Sequence, residues 1–405
     1  MNLNFRRIFQ SPSLSCLWLG QIISQSGDSI YQIGLLWLTL ELSGSESITG
    51  LVAMSAYLPA VLLALFTGVA ADRWNRKTIM LSADALRALL VIAVPLAFYF
   101  GCLNPLFLAL NAFAIAIAAA FFNPARDSII PQIVPRQGLL QANSLIQTSW
   151  QFSLLLGPAA AGLLLSLVGK INLFLAVSIA YFISFIFILG IKPKIDAVKV
   201  PRKGFGLTEI KEGLVYVIRQ PVILPLLLIT IADNIFIMGP AIVGAPVFVQ
   251  EELGLGVREY AGIQFCYAVG MLIGTAGLLA VGDKFKKGQI LLVGMVLDGI
   301  TFAPLFFVKT YFAMVITIIV HSTAIPMLTV TRASLIQKIV PPNMTGRVFA
   351  LVNMAVVGMS AVSAGITGFA LEAVGARWVF MIIAVGGGLC GVFGWIWAKE
   401  LKNTG

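Results

Sequence analysis

Long, nearly uncharged apolar runs follow one another along this chain with short polar breaks between them. They lie at 14–42, 49–71, 78–100, 105–122, 139–168, 171–191, 222–249, 260–281, 289–308, 311–330, 347–374 and 378–397. Each is near or above the ~20 residues that a helix needs to cross a bilayer. Within hydrocarbon the backbone must satisfy its own N–H and C=O groups, which an α-helix does inside one segment. With 59% of its 405 residues hydrophobic and 11% charged, the chain is too apolar for a soluble fold. The expected fold class is an all-α membrane protein with twelve transmembrane helices in a lipid bilayer. The apolar stretch after Arg6 and Arg7 continues too far for a secretory signal and lacks a cleavage site.

The basic residues sort by loop. Alternate connections hold 22 of the 27 Lys and Arg, whereas the intervening ones hold only Lys170, Arg258, Lys309 and Arg377; Arg87 lies inside a span. Short loops rich in Lys and Arg stay cytoplasmic. Both termini and the central loop are therefore expected in the cytoplasm. The formal net charge of +10 is then a topology signal, and it calls for no nucleic acid partner. The four Cys are scattered, which suggests neither a disulfide framework nor a metal site. There is one His and no P-loop. An enzyme would need a nucleophile–base set or a metal cluster, so neither catalysis nor a cofactor is expected.

The chain repeats itself. Pro124-Ala-Arg-Asp-Ser-Ile-Ile-Pro-Gln-Ile-Val-Pro135 aligns with Val330-Thr-Arg-Ala-Ser-Leu-Ile-Gln-Lys-Ile-Val-Pro341 at an offset of 206, which also carries Gly162 onto Gly368 and Gly169 onto Gly375. Asp28 falls on Asp233 and Gly34 on Gly239 at 205. An offset spanning six helices keeps the two copies in the same orientation. The expected organisation is two pseudo-symmetric six-helix bundles, at 1–191 and 221–405. A cytoplasmic linker at 192–220 joins them, and its second part has the spacing of an amphipathic surface helix. That helix either lies on the membrane or only tethers the halves.

Ionisable side chains inside spans cost roughly 2.5–3.5 kcal/mol each on insertion scales, so they usually face an interior path. Gln21, Gln25, Asp28 and Gln32 share one face of the first helix, a stripe suited to a watery cavity. Asp28 is the leading candidate for a proton-carrying or substrate-contacting carboxylate. Asp233, beside Asn234, is its counterpart in the seventh span, with a structural or a functional role open to it. Asn143, Gln147 and Gln151 add polar groups on one face of the fifth helix. Asp84 and Arg87 are three apart and read as a structural ion pair. Asp298 has no obvious local partner and receives no role. His321, the single His, fits either packing or a proton relay.

Between the second and third spans lies Gly68-Val69-Ala70-Ala71-Asp72-Arg73-Trp74-Asn75-Arg76-Lys77. It resembles the G-x-x-x-D-R-x-G-R-K signature of the major facilitator superfamily. Asn75 replaces the second Gly; Asn tolerates positive φ, so a tight turn is expected to survive. The resemblance implies that the first and seventh helices border a central cavity. It also implies that Asp72 caps the start of the eleventh helix, near Gly346 and Arg347 after Pro341-Pro342, and that Gly68, Asp72, Arg73, Arg76, Lys77, Arg126 and Arg347 serve a cytoplasmic gate. Asp283 and Arg332 would form a weaker mirror-image latch. Gly157-Pro158-Ala159-Ala160-Ala161-Gly162 resembles the G-P-x-x-G-G element of the superfamily's exporters, where Gly157, Pro158 and Gly162 would bend the fifth helix; a generic proline kink is the alternative.

Short matches along nearly the whole chain, among them Trp18-Leu19-Gly20-Gln21, Phe122-Asn123-Pro124-Ala125-Arg126 and Gly346-Arg347-Val348-Phe349, resemble the macrolide-efflux and enterobactin-exporter branch. That implies a monomeric, proton-coupled exporter of a small amphiphilic molecule in the cytoplasmic membrane. A lysophospholipid flippase and a transport-inactive receptor of the same fold are the alternatives.

Overall fold

A computed structural model describes residues 11–135, 138–193, 207–281 and 284–405, and every regular element among them is helical. Ten stretches among these residues are long and apolar enough to cross a membrane. The chain divides into two compact units: one runs to Leu38 and resumes over Pro59–Gly206, and the other combines Thr39–Leu58 with Leu207–Gly405.

Helix α1 spans Pro12–Ser43. It is long enough to cross, but its polar stripe keeps it out of the apolar set. The expected second span is interrupted at Leu63, giving α2 (Glu46–Leu62) and α3 (Ala64–Arg73). There follow α4 (Arg76–Tyr99), α5 (Pro105–Ile133), α6 (Leu139–Leu167) and α7 (Gly169–Leu189). Asn75 does not adopt positive φ as expected. Its φ is −67°, and its side chain caps α4 by accepting from the Thr78 N–H at 3.1 Å. Asn is among the best N-caps, which explains why it serves where Gly was anticipated. The core of this unit packs Leu17, Met80, Phe122, Ile129 and Ile130.

The second unit begins with α8 (Leu207–Arg219) and α9 (Ile223–Gly239). Two π turns, Pro240–Gly244 and Phe248–Glu252, extend that span to Glu252. Pro240 and Pro246 lack N–H donors, and wide turns absorb the missing bonds. The Ser363 hydroxyl enters the ladder just before, accepting from the Gly239 N–H at 2.7 Å and donating to Ile235 O at 2.6 Å. Next come α10 (Val257–Val281) and α11 (Lys287–Ile300), then a 3-10 turn at Ala303–Phe306. The tenth span breaks into α12 (Tyr311–Ser322) and α13 (Ile325–Ile339). Pro326 clashes with the carbonyl four residues back, which ends α12. The chain closes with α14 (Pro342–Val374), α15 (Ala376–Trp397) and α16 (Lys399–Asn403). α14 starts earlier than the sequence suggested, because Pro342 occupies the first helical position, where a missing N–H costs nothing.

Two correspondences carry the internal repeat into geometry. Gly169, between α6 and α7, has φ +77°; Gly375, between α14 and α15, has φ +79°. Only Gly adopts that region cheaply. Val134 and Val340 end α5 and α13 alike, with ψ 135° and 127° and their N–H groups on Ile130 O and Ile336 O. Both pairs are 206 residues apart.

The linker helix α8 docks on the second unit. Val217 is buried in its core, a Cβ on Gly213 would meet Arg347 Cβ and Leu351 at 3.3 Å, and Glu212 pairs with Arg347 at 2.5 Å. Leu214 and Ile218 remain exposed, as a helix lying against lipid would leave them. α2 and α14 cross at Gly50 and Gly368, whose backbones touch: a Cβ on Gly50 would lie 2.8 Å from Gly368 Cα. This contact explains why Thr39–Leu58 groups with the second unit.

Candidate functional site

Each unit buries a cluster of charge. In the first, Gly20, Gly27 and Gly34 let α1 lie close on α7, where added Cβ atoms would meet Phe187, Ala180 and Phe174. This brings Asp28 to Tyr181, whose hydroxyl donates to Asp28 Oδ1. Arg87 binds Asp84 through Nη2 and lies 3.7 Å from Asp28 through Nη1. Ser184 donates to the other Asp84 oxygen at 2.6 Å. The guanidinium stacks between the rings of Phe122 and Tyr181, 4.6 Å from each centroid. Asp84 is fully buried and Arg87 is 3% exposed, so charge pairing, hydrogen bonds and cation–π contact all act in a low-dielectric setting.

The polar stripe of α1 is divided. Gln21 is buried; its Oε1 accepts from Arg126 Nη1 at 3.1 Å and from Gln25 Nε2 at 3.2 Å. Ser149 bonds Gln25 Oε1 at 3.2 Å. These two glutamines join α1 to α5 and α6, where the sequence suggested a cavity lining. Asp28 is 46% exposed and Gln32 half-buried, so the far end of the stripe is open. Asn143, Gln147 and Gln151 are all exposed on α6. Gly157 of α6 packs on Ser29 and Ser26 of α1. α6 runs as one helix through Pro158 and the half-buried Gly162.

The second cluster gathers Asp233 of α9, Asp298 of α11 and His321 of α12, which are 4%, 3% and 2% exposed. His321 Nδ1 lies 3.6 Å from Asp298 Oδ1 and 3.0 Å from Thr301 Oγ1, and its ring packs on Phe302 with centroids 4.0 Å apart. Asp233 and Asp298 feel each other's charge, and Arg332 of α13 acts on Asp233. Asn234 turns back on its own helix, donating to Thr230 O at 2.7 Å. One oxygen of each Asp is buried without a hydrogen-bond partner.

Several of the residues anticipated for a gate have contacts within their own unit. Lys77 caps the end of α7, donating to Leu189 O and Ile191 O at 2.8 Å each, where a cation suits the helix C-terminus. Arg126 pairs with Asp127 at 2.9 Å besides bonding Gln21. Arg332 interacts electrostatically with Asp233, Arg347 holds Glu212, and Arg73 is exposed. Arg76 opens α4, and Gly68 of α3 has open space where a Cβ would sit. The Asp72 side chain and all of Asp283 lie outside the described residues. Sequence reading missed Tyr181 and Ser184, single polar groups in an apolar span, and it left Asp298 without a role. A signal for Asp298 existed: Asp72 and Asp283 are 211 residues apart, and so are Arg87 and Asp298.

A family model for the Major Facilitator Superfamily matches residues 17–357 and again 234–404. The chain belongs to the major facilitator superfamily. Relatives include macrolide efflux protein A of Streptococcus pyogenes, 26% identical over 83% of each chain, and the multidrug efflux pump Tap of Mycolicibacterium fortuitum, 26% identical over 70% of each. In fold the chain is similar to a bacterial homologue of the human lysosomal transporter Spinster, with TM-score 0.76, 16% identity and coverage of 96% and 97%. It is also similar to the nucleoside transporter NupG, with TM-score 0.75, 13% identity and coverage of 95% and 99%. This superfamily member is a multi-pass membrane transporter with efflux pumps among its relatives, and not an enzyme.

Proposed function

We propose that this superfamily member is a secondary active transporter that exports small amphiphilic molecules of the macrolide type, by alternating access and in exchange for protons. The observation that carries the reading is the match to macrolide efflux protein A across 83% of both chains. The exposed Asn143, Gln147 and Gln151 and the half-open Asp28 support it, because polar side chains in a membrane-spanning helix face water in preference to lipid. The reading includes twelve crossings in two six-helix halves, both termini in the cytoplasm of a cytoplasmic membrane, and a monomer as the working unit. The matched geometry at Gly169 and Gly375 supports the two halves, and the sorting of Lys and Arg among loops supports the side on which the termini lie.

The test is uptake of a radiolabelled macrolide into inside-out proteoliposomes, with and without an imposed pH gradient. Uptake that an acid-inside gradient accelerates is expected. Movement of a fluorescent lysophospholipid without macrolide uptake would favour a flippase. Specific macrolide binding with no flux would favour a receptor.

A further inference from the structure

The two units treat equivalent positions with opposite charge, and we infer that Asp233, Asp298 and His321 form the site that takes up and releases the transported proton, while Arg87 holds Asp28 outside that role. The inference rests on the exporter reading and goes beyond it by locating the proton.

Asp28 and Asp233 correspond in the repeat, as do Arg87 and Asp298 at the 211-residue offset of the adjoining segment. In the first unit the carboxylate therefore meets a guanidinium. Tyr181 donates to the same oxygen of Asp28 that faces Arg87. In the second unit the guanidinium's place is taken by another carboxylate. Asp233 and Asp298 are almost sealed from water, and each keeps an oxygen with no hydrogen-bond partner. A buried unsatisfied oxygen goes with stored strain, a chemical role, or a place that receives a water or an ion.

The other groups around the pair fix the count and the route. Arg332 on α13 supplies one positive charge to Asp233; Tyr267 on α10 and Cys390 on α15 are the further titratable groups, and they sense the charge of Asp298 and of Asp233 respectively. With Arg332 acting on Asp233, the remaining carboxylate charge, on Asp298, is neutralised by one proton. Thr301 donates back to Leu297 O at 2.6 Å, so its oxygen is left to accept from His321 Nδ1 at 3.0 Å. That assigns the ring hydrogen to Nδ1 and the lone pair to Nε2. A proton binds at Nε2, and the Nδ1 hydrogen then passes to Asp298 Oδ1 once the 3.6 Å between them closes to hydrogen-bond distance. The ring ends neutral with its hydrogen on Nε2, and release runs the steps backward. His321 also sits beside irregular backbone, the break after Ser322, where helices bend most readily.

The experiment pairs infrared difference spectroscopy on acidification with macrolide transport, both in proteoliposomes. Wild type and Asp28→Asn are expected to gain the carbonyl stretch of a protonated carboxylic acid. Asp298→Asn and Asp233→Asn are expected to lose it, and His321→Gln to displace its pH midpoint. Asp298→Asn should still exchange labelled for unlabelled macrolide but lose all acceleration by the pH gradient. Survival of the band in both Asp298→Asn and Asp233→Asn, or its loss in Asp28→Asn, overturns the inference. An unshifted midpoint in His321→Gln overturns the route through the imidazole. If wild type transports macrolide with no response to the gradient, the proton-coupled reading falls, and the infrared band still decides where the proton binds.

Discussion

Replacing Arg87 with Met is expected to remove most of the folded protein. The substitution roughly keeps volume, but it leaves the fully buried Asp84 ionised with only Ser184 as donor and takes the partner at 3.7 Å from Asp28. Breaking a buried pair from one side costs about 3–5 kcal/mol, a large part of the 5–15 kcal/mol typical of a folded domain. The cation–π contacts with Phe122 and Tyr181 are lost as well. Adding Asp84→Asn to Arg87→Met removes the stranded charge and should recover most of the loss, since Asp28 is half-open and keeps Tyr181. Thermal unfolding of the purified variants in detergent reads this directly. A single variant as stable as the double would show that Arg87 does not neutralise Asp84.

Gly368→Leu should come next in size. A Cβ on Gly368 would lie 2.6 Å from Glu46 O and 2.9 Å from Gly50 Cα. These are backbone atoms of α2, so the helices themselves must separate, and small residues are what allow such close crossings. Overpacking of this kind costs about 1–3 kcal/mol. Gly365→Ala, one turn away on α14, is the control. Its Cβ would meet only the Met54 thioether at 3.2 Å, a flexible group that can yield. Equal unfolding temperatures for the two variants would mean that the crossing is not tight.

The large outlines were legible in the chain. Apolar run length announced the membrane helices, and the connector from Gly68 to Lys77 announced the family, because both signals are local. The Pro124–Pro135 repeat pairs Val134 with Val340, and both end their helices with the same backbone hydrogen bond. What failed depended on which helix faces which. The stripe from Gln21 to Gln32 fixed a shared helix face but not the neighbour opposite it, so Gln21 and Gln25 proved to be bonded to Arg126 and Ser149. Lys77 sits in the signature, and its side chain reaches the end of α7, 112 residues on, a contact that run length and spacing do not announce. Asp298 looked isolated because its partner, His321, is 23 residues away across a turn. The interruptions at Leu63 and Thr323 were hidden because single prolines rarely fix where a helix resumes.

The central claim is that the first unit's buried charges are neutralised within the fold and the second unit's are not. Unfolding temperatures of Asp84→Asn and Asp298→Asn, measured side by side at neutral pH, test it most directly. Asp84→Asn should fall well below wild type, because it strips Arg87 of its bonded partner. Asp298→Asn should match or exceed wild type, because it removes a carboxylate whose buried oxygen has no donor. An equal fall in both variants would contradict the claim.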